Sequence, residues 1–199
     1  MKKLYRVALL ARILAVLSFL SVATHALPES TVDAFVAQLD KSMRSIHAQA
    51  KGKADRTRAG CRDLLSRLLA LDVMARATVS DDWDKMTDSQ RGSFRSAFAE
   101  RMASECVRSI SDYDGDEIKL VGVRSPKDGD ILASVRFDTE DDNSKRVTWR
   151  LRQVDSETWR AVDVILEGRS AVLTARDEFA AVLQSHDGNI EALIASMLK

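Results

Sequence analysis

Cysteine and proline each occur only twice in 199 residues, and glycine eight times. Two cysteines are too few for a disulfide-dense scaffold, and so little Pro and Gly excludes collagen-like and Pro/Gly-rich disordered chains. Histidine is scarce as well, at three residues. No HExxH, CxxC or His-rich cluster is present, which leaves no recognisable zinc site. His47 and His186 lie in polar stretches without a second ligand at helical spacing. Net charge is absent too, with 30 Lys and Arg against 30 Asp and Glu, so the chain is no generic nucleic-acid binder. What remains, 45% hydrophobic and 30% charged, is an ordinary globular composition.

The N-terminus stands apart. Lys2, Lys3 and Arg6 precede an apolar run from Val7 to Val22, and Ala23-Thr24-His25-Ala26 places small residues before a cleavage point after Ala26. This is the layout of a secretory signal peptide. Its uncharged run, Ile13 to Pro28, is 16 residues. A membrane-spanning helix needs about 20. The expected organisation is therefore a signal peptide over 1–26 and one domain over 27–199, exported to the periplasm. Removing the four basic groups of the signal leaves 26 Lys and Arg against 30 Asp and Glu, a net charge of −4. Such a chain should not cling unaided to an anionic bilayer.

Ser30 with Asp33 reads as a capping pair, followed by Val32, Phe35, Val36, Leu39, Met43 and Ile46 at helical spacing. Cys61, Leu64, Leu65 and Leu68 continue the helical pattern. Asp72 is a candidate cap for a short helix holding Met74, and Thr87 with Gln90 forms a capping box before Phe94, Phe98 and Met102. The period then changes. Ile118 to Val123, Ile131 to Phe137, Val147 to Leu151 and Trp159 to Leu166 read as strands separated by polar turns. Phe179 and Leu193 mark two closing helices. Helices before and after four sequential strands predict an α+β fold, with helices packed on one face of a four-stranded antiparallel, curved sheet.

Catalytic motifs are lacking. Gly168-Arg169-Ser170 is not a nucleophile elbow, and Asp112 to Glu117 lacks the layout of a calcium loop. Asp163, between Val162 and Val164, is either a hydrogen-bonded structural carboxylate or the general base of a cone-shaped enzyme. Cys61 and Cys106 both fall on apolar helix faces, and an oxidising compartment allows their pairing; the alternative is two buried free thiols.

Asp72-Val73-Met74-Ala75-Arg76, Trp83 and Thr87 to Phe94 resemble the helical part of the MlaC family, also called the toluene-tolerance or auxiliary-component family of ABC transport systems. Trp149-Arg150-Leu151-Arg152, Trp159, Val162-Asp163-Val164, Glu167-Gly168-Arg169-Ser170, Arg176, Glu178-Phe179 and Leu193-Ile194 are similar to its C-terminal half. The resemblance runs from about Leu64 to the C-terminus. It implies a cone-like, nuclear-transport-factor-like fold with an apolar cavity, and no enzyme activity. It further implies a periplasmic phospholipid carrier, without cofactor or metal, that shuttles cargo between an outer-membrane lipoprotein complex and an inner-membrane ABC transporter with a lipid-binding ring, so serving outer-membrane lipid asymmetry. A monomer is expected. Alternatives are a carrier of hopanoid or another hydrophobic ligand, and a transporter-docking module that binds no lipid.

The expected lipid-lining residues are Phe35, Leu39, Leu68, Met74, Phe94, Phe98, Met102, Val147, Trp149, Leu151, Val162, Val164 and Phe179. Two positions depart from the family pattern. Cys106 stands where an aromatic residue, often Tyr, is usual, and Arg169 is bulkier than the residue expected between Gly168 and Ser170. Arg169 is either a head-group contact at the cavity mouth or a solvated charge.

Overall fold

The computed structural model describes residues 29–50, 53–126, 128–137, 145–156 and 158–199. The expected signal peptide lies outside them. Five helices come first: α1 (Glu29–Ala50), α2 (Ala54–Leu68), α3 (Leu71–Thr78), the single turn α4 (Ser80–Trp83) and α5 (Asp88–Ser111). The sheet follows, with β1 (Ile118–Arg124), β2 (Ile131–Phe137), β3 (Lys145–Gln153), β4 (Trp159–Leu166) and β5 (Arg169–Ser170). Helices α6 (Ala171–Ser185) and α7 (Ile190–Met197) close the chain. No described helix is long and apolar enough to cross a membrane.

The α+β arrangement agrees with the sequence, with one addition. The sheet has five antiparallel strands in the order β1-β2-β3-β4-β5, not four. The fifth is two residues long, pairs only with Ile165 and Leu166, and is too short to show alternation. Two capping expectations also differ. Ser30 lies inside α1, and α3 begins at Leu71 with Ala70 in the capping position, so Asp72 sits in its first turn. There its carboxylate meets the positive end of the helix dipole instead of capping it. The Thr87–Gln90 capping box is formed: the Thr87 hydroxyl accepts from the Gln90 N–H at 3.2 Å, and the Gln90 side chain accepts from the Thr87 N–H at 2.9 Å.

Strands β2 and β3 alternate as their sequence predicts, whereas β1 is exposed from Val121 to Arg124 and β4 buries Ala161, Val162 and Asp163 in succession. Ile131, Ala133 and Val135 are buried on the inner face of β2, and the inner face of β3 carries Val147, Trp149 and Leu151. Arg150 and Arg152 point outward, where the Arg152 fork meets buried Asp130 at 2.7 and 2.8 Å. Register shifts at Leu120/Gly122 and Arg150/Leu151 interrupt the ladders. Such irregularities bend a strand and raise its twist, which curves the sheet around the helices. Where β5 stops covering β4, the α2–α3 corner takes over: Leu69 bridges Ala161 in parallel, and the Ala70 N–H donates to the Ala161 carbonyl at 2.9 Å. This pairing covers backbone that would otherwise be an open sheet edge.

One end of the helical layer is solid. Phe94 has no exposure and packs against Trp83, Phe98 and Phe179, with ring centroids 5.9 to 6.5 Å apart. Helices α2 and α5 are joined covalently and by ion pairs. Cys61 and Cys106 form a disulfide with Cα atoms 5.8 Å apart, and the Arg62 guanidinium clasps Glu100 at 2.9 and 2.8 Å. That clasp lowers the Glu100 carboxyl pKa below the usual carboxylate value.

Candidate functional site: an apolar cavity between sheet and helices

Beside the solid end, the two layers part. A cavity of about 500 Å³ opens between the inner face of the sheet and helices α1, α2, α3, α5 and α6. Its floor is Phe137, Val147, Trp149 and Val164, all on the inward positions of β2, β3 and β4. Its roof and sides come from Leu39 and Met43 of α1, Leu64 and Leu65 of α2, Met74 of α3, and Phe98 and Met102 of α5. Ala171, Val172 and Ala175 of α6 complete the wall. The volume lies in the usual range for a small-molecule pocket, and the lining is apolar with few polar groups, as such pockets require.

The charged residues of the lining are Arg101, Glu105, Glu167, Arg169 and Glu178, none of them buried. Arg101 of α5 pairs with Glu178 of α6 and lies 5.3 Å from the Phe179 ring centroid. Glu105 pairs with Arg108 one turn on. The arrangement is amphipathic: an aliphatic interior and a wet, charged mouth. Phe137 forms an edge contact with Tyr113, and Tyr113 another with His47. The Tyr113 hydroxyl donates to the Asp116 carbonyl, and burial, followed by the nearby Asp40 charge, pushes its pKa from 10.0 up to about 12.

A second depression, of about 630 Å³, lies between α1 and α2. Lys41, Ser45, Gln49, Arg56, Asp63 and Arg67 line it. With only Ala37 and Ile46 as apolar side chains beside them, those groups give an open, polar groove, and the smaller, apolar cavity is the better candidate site.

The structure brings part of the expected lining together. Leu39, Met74, Phe98, Met102, Val147, Trp149 and Val164 face the cavity, Arg169 stands at its mouth, and Cys106 is in its wall. Phe35, Leu68, Phe94, Leu151 and Phe179 are buried in the surrounding core instead, and Val162 is buried apart from that cluster. Phe35 of α1 packs beside the floor, in edge contact with Trp149 at 5.6 Å. Met43, Leu64, Leu65, Phe137 and Ala175 belong to the wall but were not among the expected lining. The first four continue the same apolar stripes, so their face was readable; their contact with empty space was not.

Asp163 does not line this cavity. It is buried, and one carboxylate oxygen accepts from the Val164 and Val172 N–H groups at 2.8 and 3.1 Å. The other accepts from the Ser170 hydroxyl at 2.5 Å. Ser170 in turn caps α6 by accepting from the Leu173 N–H at 3.0 Å. The carboxylate therefore acts as a bracket between β4 and the start of α6. Among the described residues no group of three His, Cys, Asp or Glu is placed to hold a metal ion.

The fold is found elsewhere. A solved structure of a phospholipid-binding protein from Ralstonia solanacearum, in complex with a phospholipid, is similar with a TM-score of 0.65. The match covers 81% of this chain and 93% of that one at 14% sequence identity, which shows a shared fold. No curated protein matches by sequence. The family model described as MlaC protein matches residues 33–199, and the chain belongs to the MlaC family.

Proposed function

We propose that this protein is a periplasmic phospholipid carrier. In this reading residues 1–26 are a cleaved export signal and 27–199 form one lipid-binding domain. The carrier moves lipid between an outer-membrane lipoprotein complex and an inner-membrane ABC transporter with a lipid-binding ring, and so maintains the lipid asymmetry of the outer membrane. The observation that carries the proposal is the aliphatic and aromatic cavity of about 500 Å³ with charges confined to its mouth.

The physical task matches that shape. Each CH₂ moved from water into an apolar site is worth about 0.8 kcal/mol, so an acyl chain resists free transfer through water. A carrier must hide the chain and leave the head group wet. Chemistry is not required, and Asp163 accepts three hydrogen bonds that tie β4 to the start of α6 and does not line the cavity. Membership of the MlaC family and the phospholipid held by the Ralstonia protein support the same cargo class.

Native mass spectrometry of the mature protein, purified without detergent and followed by lipid extraction, tests the proposal. Added mass equal to a phospholipid is expected. A folded protein that carries no lipid and takes none from vesicles would overturn it in favour of a docking module.

A further inference from the structure

Of the five charged residues at the cavity mouth, three are committed. Arg101 and Glu178 pair with each other, and Glu105 pairs with Arg108. Glu167 and Arg169 remain. Both are exposed, both line the mouth, and among the described residues neither side chain has a hydrogen-bond or ion-pair partner. They sit on one tight turn, because Leu166 pairs with Arg169 across a two-residue loop of Glu167 and Gly168.

The turn itself marks Glu167 as unusual. Glu167 has φ 50° and Gly168 φ 80°, the positive pair of a type I′ hairpin. Asn, Asp or Gly is the usual residue at the first position, since a longer side chain gains nothing there and meets steric cost. Here the position presents a carboxylate on a longer arm, beside the mouth and two residues from a free guanidinium.

We infer that the Glu167–Arg169 turn selects zwitterionic phospholipid head groups over anionic ones. This rests on the carrier reading and adds the head-group class. Arg169 meets the phosphate, as a planar guanidinium fork does well. Glu167 accepts from the head-group ammonium. A phosphatidylethanolamine satisfies both charges at once. A phosphatidylglycerol satisfies Arg169 but leaves Glu167 without a cation and close to added negative charge. The contacts are solvent-exposed, so the preference they support is about fivefold at most.

The test loads the delipidated mature protein from vesicles of equal parts phosphatidylethanolamine and phosphatidylglycerol, then quantifies the extracted lipids. Wild type should be enriched in phosphatidylethanolamine severalfold. Glu167→Gln, which keeps the side-chain length, should bring the ratio close to one by lowering the phosphatidylethanolamine taken up. Arg169→Gln should reduce loading of both lipids. A wild-type ratio of one, or a ratio that Glu167→Gln leaves unchanged, would overturn the inference while the carrier reading stands. A wild type that takes up neither lipid would overturn both.

Discussion

Cys61 is fully buried and Cys106 stands in the cavity wall, so the disulfide between them ties the core side of α2 to the cavity side of α5. The bond closes a segment of 45 positions. On the chain-entropy account such a closure stabilises by about 4 kcal/mol. Replacing both cysteines with serine should lower the unfolding free energy by that order, measured by urea denaturation against the oxidised wild type. Arg62 and Glu100 join the same two helices, so the helices should stay associated in the variant. An unchanged urea midpoint would show that the bond restricts the unfolded chain far less than its span implies.

Cavity wall and core should answer differently to substitution. Val164 faces the cavity, and Val164→Trp has open volume to enter. Its expected effect is a marked loss of co-purified lipid, read by native mass spectrometry, with a melting temperature within a few degrees of wild type. Phe94 has no exposure and three aromatic neighbours. Phe94→Ala should instead cost about 3–5 kcal/mol, because the ring leaves a void that the packed layers only partly close. A Val164→Trp protein that keeps full lipid content would remove this cavity as the binding site.

The same two helical turns show what a sequence can and cannot disclose. Phe94 and Phe98 are four residues apart on one apolar stripe of α5, yet Phe94 is enclosed by rings and Phe98 borders the cavity. Periodicity determines which face turns inward; it holds no information on whether another side chain or empty space lies opposite. The inward face of β2 was legible because its alternation is strict: Ile131, Ala133 and Val135 all arrive on the inner face. The Thr87–Gln90 cap was legible because its two bonds are local in sequence. The β5 strand was not, being two residues long. Nor was the mouth. Arg101, Glu178 and Glu167 meet there only because β4, β5, α5 and α6 converge, and a charged residue on an exposed helix face reads the same wherever that face leads.

Asp163 offers a direct separation of the bracket from a catalytic base. Asp163→Ala leaves the Val172 N–H and the Ser170 hydroxyl without their acceptor at the start of α6. Losing a buried acceptor costs about 1–3 kcal/mol for each donor left unpaired. The expected outcome is a lower urea midpoint with lipid content per folded molecule preserved. Loss of a turnover activity at unchanged stability would instead assign the carboxylate to catalysis.

Tyr113 makes the stability depend on alkaline pH. Its ring packs against His47 and Phe137, and its hydroxyl donates to the Asp116 carbonyl. Burial, then the Asp40 charge, raises its pKa from 10.0 to about 12 in the folded protein. The unfolded chain therefore loses the phenol proton first, and stability rises wherever the unfolded state binds more protons, falling where it binds fewer. The contribution is complete below pH 10 and is lost as the pH climbs towards 12. Urea midpoints measured across that window should fall more steeply for wild type than for Tyr113→Phe, which has no proton to lose. Because Tyr113 supports Phe137 at the cavity floor, the same alkaline range should also release bound lipid sooner from wild type than from the variant. Parallel pH profiles for the two proteins would show that this phenol ionises equally well folded and unfolded.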